Sequence, residues 1–121
     1  MRTRSSSSCG VAFLDRHAAI AEVRATVAQL LARRPDVREA WLFGSLARGN
    51  ATPRSDADLL IVVERDTRRP MDRVLEFLSL LDGVGRPCDL IVLTAEEWQA
   101  REGSSFHREV VSRGIRLGGA A

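Results

Sequence analysis

The apolar run from Leu59 to Val63, which directly follows Asp56 and Asp58, constrains the fold of this chain more than any other feature. The run shows no polar alternation, and this is typical of a central strand that is buried on both faces. Side chains two residues apart project from the same face of a strand, so the two carboxylates lie together where the strand begins. Like charges at this spacing raise each other's pKa and oppose folding unless a positive charge is present. The sequence therefore predicts a buried central strand that begins at a cation site.

Helices and strands intermix along the rest of the chain. The predicted helices, each bounded by a capping or a breaking residue, run from the N-cap Asp15 to Pro35, from Pro70 to Gly83, from Thr94 to Arg101 and from Ser104 to Gly114. The predicted strands cover residues 37–43, 58–63, 89–93 and, as a short edge strand, 115–117. This order places the chain in the α/β or α+β class, with a small sheet and helices packed mainly on one face.

Apolar side chains at helical spacing predict which residues of these helices enter the core. Those expected to face inward are Ile20, Val23, Val27, Leu30 and Leu31 in the first helix, Met71, Val74, Leu75, Leu78 and Leu81 in the second, and Phe106, Val110 and Val111 in the last. Trp41 is expected in the core, and His17 and His107 are expected at the surface or at helix caps. For Trp98 the sequence leaves two interpretations open, a core position and a contact with a partner.

The composition indicates one globular domain and excludes several functional classes. Of the 121 residues, 45% are hydrophobic and 28% are charged, which suits a single folded core. The net charge is only +2, and Arg2 and Arg4 alone account for it, so binding to nucleic acid is not expected. No apolar run reaches the roughly 18 residues of a membrane helix. Cys9 and Cys88 form no zinc-binding pattern and are expected to be unpaired thiols of a cytoplasmic protein.

The start of the chain is polar and rich in serine, and it lacks the apolar segment of a secretory signal. Residues 1–14 are expected to form a disordered leader. Residues 15–117 are expected to form a single domain, and residues 118–121 a flexible tail. No repeat or linker divides the chain.

A Gly-Ser turn follows the predicted strand at residues 37–43 and supplies a second part of the site. Gly44 permits close approach of a ligand to the backbone, and the N–H groups of the turn and the Ser45 hydroxyl can bind phosphate oxygens. Arg48 and Arg54 lie in the same segment and can neutralise phosphate charge. The segment is therefore predicted to bind the phosphates of a nucleotide.

Asp89 begins the apolar strand at residues 89–93, as Asp58 begins the strand before it. If the two strands are neighbours and run alike, Asp89 converges with Asp56 and Asp58 on one site. Ligation by oxygen alone favours Mg²⁺ or Mn²⁺. Two such ions beside a phosphate-binding turn predict nucleotidyl transfer, in which one ion orients a triphosphate and the other lowers the pKa of an attacking hydroxyl. Asp89 is then either the general base or a ligand of the second ion.

The stretch GSLARGNATPRSDADLLIVV, residues 44–63, resembles the signature of the DNA polymerase β-like nucleotidyltransferase superfamily, in which Gly-Ser is followed after ten residues by Asp-x-Asp. More closely, the chain is similar over residues 37–93 to the minimal nucleotidyltransferases, the MNT family. The resemblance implies a mixed sheet with helices mainly on one face, and ATP or another nucleoside triphosphate (NTP) as substrate. It assigns Asp56, Asp58 and Asp89 to two Mg²⁺ ions and the Gly-Ser turn to the phosphates.

The resemblance also implies a partner protein. Members of the MNT family commonly pair with a HEPN-domain protein, and some are antitoxins that transfer AMP from ATP to a tyrosine of that toxin. This chain contains no tyrosine, so a tyrosine acceptor lies on another molecule. We therefore expect Mg²⁺-dependent transfer of AMP to a hydroxyl of a partner protein, as by the antitoxin of a HEPN–MNT pair. Two alternatives are a non-catalytic antitoxin or scaffold that only binds its partner, and a small-molecule nucleotidyltransferase of the aminoglycoside type.

Overall fold

The computed structural model describes residues 15–119, so the predicted leader at residues 1–14 and the last two residues of the predicted tail lie outside it. The elements follow in the order α1 (Arg16–Arg33), β1 (Val37–Phe43), α2 (Gly44–Arg48), β2 (Ala57–Val63), α3 (Pro70–Leu78), a 3₁₀ helix (Ser79–Val84), β3 (Cys88–Thr94), α4 (Ala95–Ala100), α5 (Ser105–Arg113) and β4 (Ile115–Gly119). No helix in this part of the chain has the length and apolar character needed to cross a membrane.

The four strands form one mixed sheet in the order β3-β2-β1-β4. Strand β1 runs antiparallel to β2 and β4, whereas β2 and β3 are parallel. The prediction of a central strand is confirmed, because β2 has a hydrogen-bonded neighbour on each side. Strand β4 is the predicted edge strand, but it extends to Gly119 and pairs Gly118 with Ala40, so these two glycines belong to the sheet and not to a tail.

Two apolar clusters pack against opposite faces of this sheet. The larger cluster lies between the sheet and the layer of α1, α3 and the 3₁₀ helix, and it includes Leu59, Ile61 and Val63 of β2. The smaller cluster lies beneath α4 and α5 and includes Leu60 and Val62. Alternate residues of β2 thus enter opposite clusters, which explains its unbroken apolar run. The α/β class with its main helical layer on one face is confirmed.

Two predicted core residues of α3 face solvent instead. Met71 and Leu75 are 79% and 76% exposed, whereas Arg73 and Phe77 are buried. The inward position is taken by Arg73, whose Nη1 lies 2.6 Å from Glu97 Oε1 on α4. The same guanidinium donates to three backbone carbonyls, those of residues 66, 68 and 92. The apolar periodicity was a poor guide here because an arginine with this many partners replaces an apolar residue on the inner face.

Helix α5 turns one face toward the smaller cluster. Val110 is fully buried, and the ring of Phe106 lies with its centroid 5.3 Å from Phe43 and 6.0 Å from Trp98. Val111 was predicted to face inward but is 47% exposed, because it lies one position round the helix from Val110. These contacts hold α5 against the end of β1, beside the Gly-Ser turn.

Candidate functional site

Asp58 and Asp89 are direct neighbours across the parallel strands β2 and β3. Backbones of neighbouring strands are about 4.8 Å apart, so the two carboxylates leave the sheet side by side. On the other side of β2, Asp58 is paired with Phe43, the last residue of β1. The expectation that the two apolar strands are parallel neighbours is confirmed. The end of β1 and the beginnings of β2 and β3 therefore meet at one edge of the sheet.

Burial and neighbouring negative charge oppose the ionisation of Asp58. Its pKa is raised, first by burial and then by the charges of Asp89 and Asp56, while the positive charge of Arg48 lowers it. Asp56 lies just before β2 and is exposed to solvent. The charges of the other two carboxylates predicted from the sequence thus both act on Asp58. A bound cation relieves this kind of repulsion.

Gly44 is the residue against which the carboxylate of Asp58 lies. It begins α2 with a positive φ of 73°, and a Cβ atom at this position would fall onto Asp58 Oδ2 and lie 2.8 Å from Asp58 Cγ. Glycine is therefore needed here for the backbone conformation and for the space that the carboxylate takes. Ser45 follows in the first turn of α2, where backbone N–H groups have no helical acceptor. The Gly-Ser turn and the carboxylates form one continuous site.

The two arginines of this segment have different surroundings. Arg48 ends α2, and its Nη1 lies 2.8 Å from Glu109 Oε2 on α5. Arg54 lies in the exposed loop before β2, where its backbone N–H donates to Thr52 Oγ1 at 3.3 Å. Among the described contacts, none joins the Arg54 side chain to the three carboxylates. The structure thus brings Arg48 to the site and leaves Arg54 at its margin.

Contacts between distant residues hold the segments around the site, and the sequence analysis missed them. Arg16 at the start of α1 donates from Nε to the carbonyl of Leu46 at 3.2 Å and from Nη2 to that of Ala47 at 2.6 Å. Arg86 Nη1 donates to the carbonyl of Ser55 at 2.9 Å, just before the first carboxylate. Each pair is separated by 30 or 31 residues in the chain, so no local pattern indicates it.

The donors that the site offers to a metal are the carboxylate oxygens of Asp56, Asp58 and Asp89. Within residues 15–119, no three or more His, Cys, Asp or Glu side chains are already arranged as a metal-binding group. Mg²⁺ usually keeps several waters and takes further oxygens from substrate phosphates, so an open set of carboxylates fits it. The raised pKa of Asp58 agrees with this fit, because burial and the charges of Asp89 and Asp56 outweigh the positive charge of Arg48.

The other side chains singled out in the sequence serve packing or lie at the surface. His17 is exposed on α1. The ring of His107 lies 5.0 Å from that of Trp98, measured between centroids. Trp98 is buried in the smaller cluster, which resolves it as a core residue. Trp41 is only partly buried, and it packs against the same cluster while its Nε1 donates to Glu39 Oε1 at 2.9 Å.

Comparison with known proteins agrees with this geometry. The sequence matches the model of the nucleotidyltransferase domain family over residues 21–115, which is most of the chain. A protein of Methanocaldococcus jannaschii named "Putative protein adenylyltransferase MJ0604" is 37% identical over 79 residues, covering 64% of this chain and 75% of that protein.

Two solved structures share the fold. A chain of a toxin–antitoxin crystal structure with AMP-PNP superposes with a TM-score of 0.58 at 24% identity, covering 80% of this chain and 73% of that chain. A chain from the structure of a tri-AMPylated Shewanella oneidensis HEPN toxin in complex with its MNT antitoxin superposes with a TM-score of 0.52 at 21% identity, covering 87% and 73%. The resemblance to the minimal nucleotidyltransferases is thus confirmed, and an NTP is the substrate that this family implies. The chain belongs to the nucleotidyltransferase domain family and is a nucleotidyltransferase.

Proposed function

We propose that this enzyme transfers AMP from ATP to a hydroxyl group of a partner protein, with Mg²⁺ as cofactor. The observation that carries the proposal is the pairing of Asp58 with Asp89 across parallel strands, with Gly44 lying against the Asp58 carboxylate. A carboxylate pair in direct contact with a phosphate-binding turn is suited to hold a triphosphate and its counter-ions together.

Each part of the site has a role in this reaction. Asp56 and Asp58 would hold Mg²⁺ against the triphosphate, and the backbone and hydroxyl of the turn at residues 44–45 would bind phosphate oxygens. When bound, Mg²⁺ neutralises charge on the phosphates and makes the attacking hydroxyl more acidic. Arg48 adds positive charge at the same edge of the sheet.

Asp89 is the residue that we propose as the general base for the acceptor hydroxyl. The hydroxyl oxygen attacks the α-phosphorus of ATP, the bond from that phosphorus to the β-bridging oxygen breaks, and pyrophosphate leaves. The hydroxyl proton moves to a carboxylate oxygen of Asp89, which is exposed and lies beside Asp58. The products are an AMP ester of the partner protein and pyrophosphate.

A HEPN-domain protein is the partner that we propose. The relative from Methanocaldococcus jannaschii is named as a putative protein adenylyltransferase. One of the solved structures with the same fold contains an MNT antitoxin and a tri-AMPylated HEPN toxin. This chain has no tyrosine of its own to modify. A tyrosine hydroxyl on a separate protein is therefore the acceptor that we propose, as the resemblance to the MNT family implies.

The test is a transfer assay with the purified chain, α-labelled ATP, Mg²⁺ and, as acceptor, the protein encoded by the neighbouring gene. We expect label on the partner, and loss of label with EDTA or with the double variant Asp56→Ala/Asp58→Ala. Asp72→Ala is the control, because this carboxylate is exposed like that of Asp56 but pairs with Arg69 at the start of α3, away from the site.

Other outcomes would support the alternatives and overturn the proposal. If Asp56→Asn abolishes label transfer but still neutralises the partner in cells, the chain acts by binding and not by catalysis. If label passes to a small hydroxyl compound without any partner, the chain is a small-molecule nucleotidyltransferase. If no label is transferred to any acceptor, the proposed reaction is wrong.

A further inference from the structure

Glu109 on α5 makes an ion pair with Arg48, the last residue of α2. Its Oε2 lies 2.8 Å from Arg48 Nη1, and both side chains are about one third exposed. The two residues are 61 positions apart in the chain, so only the packing of α5 brings them together. Glu109 has no part in the proposed transfer reaction itself.

The helix that carries Glu109 is fixed on both sides of it. Phe106, three residues earlier, packs edge-to-face on Phe43, the residue just before the Gly-Ser turn. Val110, the next residue, is fully buried in the smaller cluster. Glu109 therefore stands on a helix whose position is tied to the start of α2 by packing. A carboxylate held in this way can hold the guanidinium of Arg48 in one place.

The ion pair leaves two nitrogens of the Arg48 guanidinium available to bind an anion. Glu109 contacts Nη1, and among the described residues no protein acceptor contacts Nε or Nη2 of Arg48. A cavity of about 360 Å³ lies beside this guanidinium and is lined by Ala47, Arg48 and Arg113. An anion that entered this cavity would meet Arg48 and Arg113, and Arg48 belongs to the helix that begins with the Gly-Ser turn. In its paired position Arg48 also lies near enough to Asp58 for its charge to act on that carboxylate.

We infer that Glu109 is a positioning residue. It holds Arg48 at the edge of the site, so that the guanidinium is already ordered when the phosphates of the NTP bind. The inference rests on the proposed function, since it assigns Arg48 to the triphosphate. The physical reason is entropic, because a free arginine side chain has many rotamers and loses them when it binds a phosphate. An arginine already held by a carboxylate on a rigid helix loses fewer.

A double-mutant cycle on ATP affinity tests this role without any partner protein. The dissociation constant of ATP with Mg²⁺ is measured by calorimetry for the unmodified chain, Glu109→Gln, Arg48→Ala and the double variant. Glu109→Gln keeps the shape of the side chain and removes its charge. We expect it to weaken ATP binding about fivefold, the effect of an exposed ion pair of about 1 kcal/mol. In the Arg48→Ala background the same change should have no effect.

Two controls separate positioning from stability and from general charge. The thermal midpoint of Glu109→Gln should stay within about 2 °C of the unmodified chain, as for other surface substitutions. Glu96→Gln removes an exposed carboxylate from α4 and should leave ATP affinity unchanged.

The outcomes discriminate between the inference and the proposed function. An equal weakening of ATP binding by Glu109→Gln in both backgrounds, no weakening in either, or tighter binding would each overturn the positioning role. If ATP does not bind the unmodified chain, both are wrong. If ATP binds with the expected coupling but no partner is labelled, the acceptor proposed above is wrong and the role of Glu109 stands.

Discussion

The carboxylate of Asp58 lies so close to the backbone of Gly44 that a Cβ at position 44 would overlap Asp58 Oδ2. The turn that follows β1 and the carboxylate that begins β2 are therefore held in direct contact. This contact is the closest link between the two parts of the site that the sequence presents separately.

Substitution Gly44→Ala should disable the site through both of these constraints. The positive φ of 73° costs about 1–2 kcal/mol for a residue with a Cβ, and the new methyl group must also displace the Asp58 carboxylate. We expect a lower thermal midpoint and loss of ATP binding and AMP transfer. Gly103→Ala is the matched control, because Gly103 has a φ of 83° but nothing within 4 Å of its Cβ position. This control should lose similar stability and keep transfer; equal loss of transfer in both variants would contradict the role of the Gly44 contact.

Replacing Asp58 by asparagine should separate stability from activity. Because burial, Asp89 and Asp56 raise its pKa in the folded chain, Asp58 stabilises the fold only at low pH and opposes it once ionised. Without divalent cations, Asp58→Asn should therefore unfold at a higher temperature than the unmodified chain at pH 7. AMP transfer should fall at least about a hundredfold, because a metal ligand is lost.

The same pair of proteins tests whether Mg²⁺ binds at these carboxylates. At about ten times its dissociation constant, Mg²⁺ should add about 1.4 kcal/mol to the free energy of unfolding of the unmodified chain. Asp58→Asn should show little of this gain when both are unfolded in the presence of Mg²⁺ and of EDTA. An equal gain in both proteins would place the ion elsewhere.

The contact of Arg16 with the end of α2 should matter for the site as well as for the fold. Removing its hydrogen bonds to the carbonyls of Leu46 and Ala47 with Arg16→Ala should cost about 1–2 kcal/mol. It should also weaken ATP binding, because α2 carries the Gly-Ser turn and Arg48. Arg24→Ala, an exposed arginine of the same helix, should change neither the denaturation midpoint nor the ATP affinity. If Arg16→Ala lowers stability but not affinity, the turn does not depend on this contact.

The ion pair of Arg73 with Glu97 should appear in the pH dependence of stability. The hydrogen bond from Arg73 lowers the pKa of Glu97 from 4.5 to about 2. Because the pKa is lower in the folded chain, the stabilisation is complete above about pH 4.5 and is lost as the pH falls toward 2. We expect Glu97→Gln to be less stable at pH 7 by about 1–3 kcal/mol, since the buried Arg73 loses its closest carboxylate while Glu97 itself is 35% exposed.

Denaturant titrations at several pH values check this prediction. Between pH 5 and pH 2, the free energy of unfolding of Glu97→Gln should fall less than that of the unmodified chain. Asp72→Asn, which removes a more exposed ion pair with Arg69, should follow the unmodified chain. Parallel curves for Glu97→Gln and the unmodified chain would show that this pair does not set the acid sensitivity.

Local patterns were sufficient to predict the strands and most of the helix ends. The run Leu59 to Val63 has no polar residue, so its side chains are buried only if an apolar layer covers each face of the strand. In the structure it is the central strand, and its side chains enter two apolar clusters. The helix starts at Asp15 and Thr94 followed from capping groups close in the chain, and both caps form in the structure. Periodicity was wrong for Met71 and Leu75, because it counts apolar residues and takes no account of an arginine that becomes buried with its partners. It was wrong for Val111 because only its neighbour Val110 lies on the inner face of α5.

In the candidate site too, some residues were predictable from local sequence and others were not. The types and spacing of Gly44, Ser45, Asp56 and Asp58 are local, and by themselves they indicate phosphate and cation chemistry. Asp89 joins them only because β2 and β3 are parallel and in register. From the sequence, this arrangement could be stated only as a condition.

The sequence by itself thus determined the elements, the central strand and the chemical nature of the site, because each of these depends on residues that lie close together in the chain. Only the tertiary structure decided which distant side chains meet at that site. Asp58 faces Asp89, Arg48 meets Glu109, and α2 is held by α1. These contacts are set by strand order and helix packing, which arise from burial of the whole apolar surface and leave no trace in local spacing.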